Sequence, residues 1–147
     1  MTTIQFRIQT EELGRGELLT VTPYIDEVSL VELTRRVEAS AAAVHGEAKL
    51  AGNYAGLVVD GHSHDWTGWY RNDHPQTWFN DGDSCLLGCR CGDTGCWPLT
   101  TRISLDERQV TWSHFRTGHR SWNLSALGPF TFNRRDYDHA LQHPTMT

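Results

Sequence analysis

The chain is predicted to fold as a single α+β domain, residues 1–147, built on a mainly antiparallel sheet. One helix is expected near residues 30–45 and a second near 134–143. Three observations point there. Short runs with alternating apolar residues recur along the 147-residue sequence. Only two segments carry helical signals, and the strand runs they separate lack the regular strand–helix alternation of a parallel α/β fold. The length is enough for one domain to bury a core without covalent staples.

The elements follow in order. "TIQFRIQT" places Ile4, Phe6 and Ile8 on one face, the period of a half-buried strand. "ELGRGE" is a glycine-rich turn and "LLTVTPYI" the returning strand of a hairpin. In "SLVELTRRVEASAAAVHG", Ser29 precedes Glu32 by three residues, a capping-box pattern. Leu30, Leu33, Val37, Ala41 and Val44 then recur at helical spacing, and Gly46 is the expected stop. "NYAGLVVDG" reads as a short strand. "HSHDWTGWYRNDHPQTWFNDGD" reads as a long loop with at most a short strand at Thr77–Phe79, of the kind that is often functional or mobile. From Ser84 onward a meander is expected: "SCLLGCR", "CWPLTTRISL" and "QVTWSHFR" as strands, "PFTFN" as a short strand, and "RRDYDHALQH" as the closing helix.

Charge and composition exclude several function classes. Net charge is −5, which argues against nucleic acid or an anionic membrane as a general partner. No apolar run approaches the roughly 20 residues of a membrane span. The start "MTTIQFRIQTEELG" has neither a signal-peptide nor a transit-peptide pattern, so the expected location is cytoplasmic. All four cysteines, all six tryptophans and seven of the eight histidines lie after residue 60. Residues 1–60 are therefore read as a hairpin–helix scaffold, and residues 61–147 as the part that carries the chemistry.

The cysteines fall within "CLLGCRCGDTGC" as C-x3-C-x-C-x4-C. Zinc takes four tetrahedral ligands, usually thiolates and imidazoles. Two residues apart on an extended chain, Cys89 and Cys91 share a face, and a turn over Gly92–Gly95 would return Cys96 beside them. Cys85 or a histidine, His114 or His119, would complete the set. Three soft sulfurs also suit Cu(I). Two other readings stay open: small buried thiols packing beneath Trp97, and redox or disulfide chemistry, which a reducing cytoplasm disfavours.

The segment "LLGCRCGDTGCWPLTTRI" followed by "VTWSHFRTGHRSWNLSALGPFTFNRRDY" resembles a family of small bacterial proteins of uncharacterised function. These share CxCGxxGCWPL, then a W-x2-F strand, an HR-x-W turn and an LGPF-x-F end. The resemblance covers roughly residues 86–137. Cys89, Cys91, Cys96 and Trp97 match its pattern and Cys85 lies outside it. The resemblance implies no particular reaction.

Two further clusters stand out. Asp60, His62 and His64 form D-x-H-x-H, similar to the first metal strand of amidohydrolase barrels, but such a barrel needs about 250 residues. A surface loop with two solvated histidines is the simpler reading. In "TGHRSWNLSALGPF", His119, Arg120 and Trp122 with Arg116 would make an anion or aromatic site. Alternatively, Trp122 and Phe130 anchor the loop while Arg120 forms a structural ion pair with Asp136 or Asp138.

Two functions follow. The first is a metal-binding protein, zinc favoured, whose ligands are Cys89, Cys91, Cys96 and Cys85. The ion is structural, and the protein is a monomer or homodimer that serves as an interaction module for a protein or small-molecule ligand. The second is a small enzyme with a thiolate or metal-bound water as nucleophile, His119 or His114 as base, and Arg120 or Arg116 holding an anionic substrate.

Overall fold

The computed structural model describes residues 2–61, 66–118 and 120–147. Strands β1 (Ile4–Leu13) and β2 (Gly16–Ile25) pair antiparallel in a hairpin closed by Gly14 and Arg15. After β3 (Val28–Ser29) comes helix α1 (Leu30–Val44), capped as its sequence anticipates: the Ser29 side chain accepts from the Val31 N–H. Glu32 does not reach back to complete the box. It pairs with Arg35 instead. Gly46 follows the helix at φ +69°, the left-handed stop that glycine adopts without strain.

The buried stripe of α1 is rotated from the expected one. Leu30, Thr34, Glu38 and Ala42 face inward at a spacing of four, while Val44 is 82% exposed. A polar residue is thus buried where the apolar pattern alone points elsewhere. Glu38 is held by the Gly52 N–H at 2.8 Å and by the Tyr54 hydroxyl, which donates to it at 2.6 Å. That hydroxyl also lies 2.9 Å from Thr117 Oγ1.

Next come β4 (Tyr54–Ala55) and β5 (Leu57–Val58), where a single short strand was expected. Gly56 separates them because the chain changes sheets there. A Cβ at this position would lie 2.5 Å from Thr22 Oγ1 and 2.6 Å from the Val21 carbonyl, so only glycine passes. The strands consequently divide between two five-stranded sheets. β5 pairs β2 in the first, and β4 opens the second, ordered β4–β6–β7–β8–β9. Here β6 is Ser84–Cys89, β7 Leu99–Leu105, β8 Gln109–Thr117 and β9 Phe130–Asn133. Helix α3 (Arg134–Gln142) closes the chain as predicted, and β10 (Thr145–Met146) adds a parallel pair to β1.

The segment between the sheets differs from expectation. No strand forms at 77–79, because the Asp83 carboxylate accepts the N–H groups of both Trp78 and Phe79 at 2.9 Å. Those donors are satisfied without a neighbouring strand. A helical turn, α2 (Trp66–Trp69), instead buries Trp66 and Trp69. They join one aromatic core with Phe6 of β1, Tyr70, Trp112 of β8, Phe132 of β9 and Tyr137 of α3. Phe6 and Tyr70 centroids lie 4.8 Å apart, and Trp112 meets Phe132 edge-on at 5.0 Å. Trp112 Nε1 donates to the Tyr137 hydroxyl at 3.2 Å, which donates to the Tyr70 carbonyl. Both sheets and α3 meet at this cluster. Among the described residues, no helix is long and apolar enough to cross a membrane.

The buried Glu38 makes stability depend on pH. Burial pushes its carboxyl above the usual range, opposed by the Tyr54 and Gly52 bonds. The native state then holds the proton more tightly than the unfolded chain does. Its favourable contribution is full below the unfolded value, about 4.3, and is lost as pH rises through the folded value. The stability of Glu38→Gln relative to the parent is expected to climb as pH rises through that window, measured by urea unfolding at several pH values. A difference that stays flat or falls would contradict this placement of the charge.

Candidate metal centre

Strand β6 ends at Cys89, so Cys91 belongs to a turn rather than to the extended chain. The turn is shaped by short-range bonds. The Cys91 N–H points at Cys89 Sγ, 3.4 Å away, and the Gly92 N–H donates to the Cys89 carbonyl at 3.1 Å. Gly92 adopts φ +95°, a conformation costly for any residue with a side chain. A single 3-10 turn, Thr94–Cys96, then returns the chain, fixed by the Cys96 N–H donating to the Asp93 carbonyl. Asp93 Oδ1 also accepts from the Gly95 N–H at 3.0 Å.

These bonds bring Cys89, Cys91 and Cys96 together, with all three Sγ atoms within 4.8 Å of one another. A tetrahedral zinc at about 2.3 Å from each sulfur spaces them about 3.8 Å apart, and a trigonal ion about 4.0 Å. The three cysteines therefore lie close enough to hold a metal ion, with a contraction of at most about 1 Å. Cys91 and Cys96 are exposed and have the rotamer freedom to make it. The donor set is all sulfur, which suits Zn and Cu(I) over Mg or Ca.

The thiols differ in acidity. Burial pushes Cys89 up to about 12, a rise to which the neighbouring thiols add. Cys91 is lowered, chiefly by backbone hydrogen bonding at Asp93 and then by its contacts with Cys89 and Cys96.

Cys85 does not join them. It is 2% exposed within the hydrophobic core, and burial pushes its thiol up to about 12. Four residues of strand place it about 13 Å from Cys89, too far to share an ion. The four-cysteine set is corrected to a trio.

The first sheet grips this turn. The Gly14 N–H at the β1–β2 hairpin tip donates to the Arg90 carbonyl at 3.0 Å, and Arg90 pairs with Glu11 at 3.7 Å. A Cβ on Gly14 would stand 2.9 Å from the Cys91 carbonyl. On the other side, Trp78 Nε1 donates to the Gly95 carbonyl. Tyr54, whose hydroxyl bonds Glu38 and Thr117, is the register partner of Cys89 on the neighbouring strand β4.

The other predicted residues are distributed differently. His62, His64 and His119 lie outside the described residues. Asp60 accepts from the Leu19 N–H and so serves β2. Arg120 sits 4.8 Å from the Trp97 ring and 5.9 Å from that of Trp122, and it pairs at 3.0 Å with Glu47. The expected partners Asp136 and Asp138 are not used by Arg120. Asp138 is taken by Arg134 and Arg71. Arg116 is bound by both Asp81 oxygens, at 3.0 and 2.8 Å, and lies over Phe79. His114 and Arg116 line a cavity to which no cysteine contributes. Of the described base and anion-holding candidates, His114 lines a cavity without the thiols, and Arg116 and Arg120 are each matched by a carboxylate.

Comparison with protein-family models, with curated proteins and with solved structures finds no match. The site's chemistry is therefore read from its own atoms.

Proposed function

We propose that the chain binds one soft metal ion, zinc foremost and Cu(I) as the other fit, through Cys89, Cys91 and Cys96. Its role is structural. The ion fastens the β6–β7 turn on which the β1–β2 hairpin rests, and the protein works in the cytoplasm as an interaction module for a protein or small molecule. Membership of the bacterial family with the CxCGxxGCWPL segment is part of this reading, since its three cysteines are these three. The observation that carries it is the convergence of three sulfurs within 4.8 Å on a turn already bent by N–H···S and left-handed glycine geometry. A fourth position would be filled by water or by a donor from a partner.

An ion that binds only the folded chain stabilises it by about 2.7 kcal/mol at a hundredfold excess over Kd. Thermal unfolding of the full chain with and without zinc should show an upward shift in Tm, absent in Cys91→Ser. No shift in the parent protein would refute a structural ion. A second reading rests on the exposed, acid-shifted Cys91, which as a lone thiolate would be a nucleophile. That reading requires Cys91 to alkylate far faster than Cys96 near neutral pH in zinc-free protein, and comparable rates would remove it.

A further inference from the structure

Strand β8 is not a simple alternating strand. Between the pairs Thr100–Arg116 and Arg102–Ser113, β7 advances two residues while β8 advances three. The extra residue makes a bulge, and His114 within it sits at φ +57°. A bulky residue in that region costs about 1–3 kcal/mol and persists where surrounding structure holds it, commonly at sites of function. The bulge shifts the phase of the strand. Val110 and Trp112 face the core before it and Phe115 and Thr117 after it, leaving Ser113 and His114 consecutive on the outside.

These displaced residues form one wall of a cavity of about 610 Å³, within the range of small-molecule sites, about 300–1,000 Å³. Its floor is apolar: Phe115, Trp122, Leu124 and Leu127 are each less than 10% exposed. Its ionisable lining is Arg102, His114 and Arg116, with no carboxylate among the lining residues. Asp81 holds Arg116 through both oxygens, and Arg102 reaches only the Asp81 main-chain carbonyl, at 3.3 Å. Arg116 is balanced by Asp81, with Asp83 also acting on it, while Arg102 has a main-chain carbonyl and no ion-paired carboxylate at the mouth of an apolar pocket, among the described residues. His114 Nδ1 is 3.1 Å from Ser113 Oγ, and Nε2 is the nitrogen left for a ligand.

We propose that this cavity binds a small monoanion with a flat apolar body, an aromatic carboxylate, with the ring over Trp122 and Leu127 and the carboxylate at Arg102 and His114. An apolar floor alone accepts any hydrophobic compound. Arg102, whose partner here is a main-chain carbonyl, selects an acid at the rim, because a charge-assisted hydrogen bond outweighs a neutral one.

The test uses the zinc-loaded full chain with 2-naphthoate as probe and 2-naphthamide as its uncharged control, followed by isothermal titration and amide chemical shifts. The acid should bind saturably, about tenfold or more tighter than the amide, the difference expected of one charge-assisted bond. Arg102→Gln, at an exposed position, should erase that preference, and Ser125→Trp at the rim should block both compounds without touching the core. Cys91→Ser should leave binding unchanged, which keeps this site independent of the metal. Equal affinity for acid and amide, no saturation, or binding that survives Ser125→Trp would each overturn the assignment.

Discussion

Trp112→Ala is expected to cost about 3–5 kcal/mol of stability. Trp112 has no exposed surface and stands where both sheets and α3 meet, in ring contact with Phe6, Tyr70, Phe132 and Tyr137. Removing the indole opens a cavity between elements that cannot close independently, since each is also pinned by its own strand pairs. It also deprives the Tyr137 hydroxyl of the donor at 3.2 Å. Trp112→Phe separates the two contributions: it keeps most of the volume and loses the N–H, worth about 1 kcal/mol. Urea unfolding should show a large fall in midpoint for alanine and a small one for phenylalanine. Similar losses for both would place the weight on the hydrogen bond.

Cys96→Ser should lower zinc affinity by at least about a hundredfold, because even residues behind the ligands are worth about 10–100-fold and this removes a ligand outright. The same substitution in zinc-free protein should change stability little, since Cys96 is exposed. Cys85→Ser should do the reverse. It buries a hydroxyl in an apolar setting and destabilises the fold, while zinc affinity, measured by chelator competition, stays the same. An equal loss of affinity in both variants would contradict the trio.

Much of this architecture was legible. Alternation in "TIQFRIQT", the Ser29 cap and Gly46 located the hairpin and α1 because those signals are local. What escaped was set by tertiary contacts. Gly56 looks like an ordinary glycine until the Thr20–Thr22 segment is seen pressed against it, and that contact turns one expected strand into two strands in two sheets. Glu38 hides in α1 because its partners, Gly52 and Tyr54, lie 14 and 16 residues on. In "QVTWSHFR" strict alternation would set Trp112, His114 and Arg116 on one face. The bulge at His114 breaks that, and no residue type there announces it.

The candidate site was partly legible in the same sense. The spacing of Cys89, Cys91 and Cys96 with Gly92 between them anticipated convergence through a turn. Cys85 was carried along by proximity in sequence, and strand length along β6 removes it. The ion-pair partners of Arg116 and Arg120 were not foreseeable, since Asp81 and Glu47 arrive from loops with no pattern of their own.

The most direct test of the metal assignment is the zinc content of the full chain, purified without a histidine tag and dialysed against zinc-free buffer, with thiols counted before and after chelation. The account predicts close to one zinc per chain, three thiols released by the chelator, and a fourth, Cys85, that reacts only on unfolding. Less than about 0.2 zinc per chain, against the full occupancy a structural site demands, with three thiols freely titratable from the start, would contradict it.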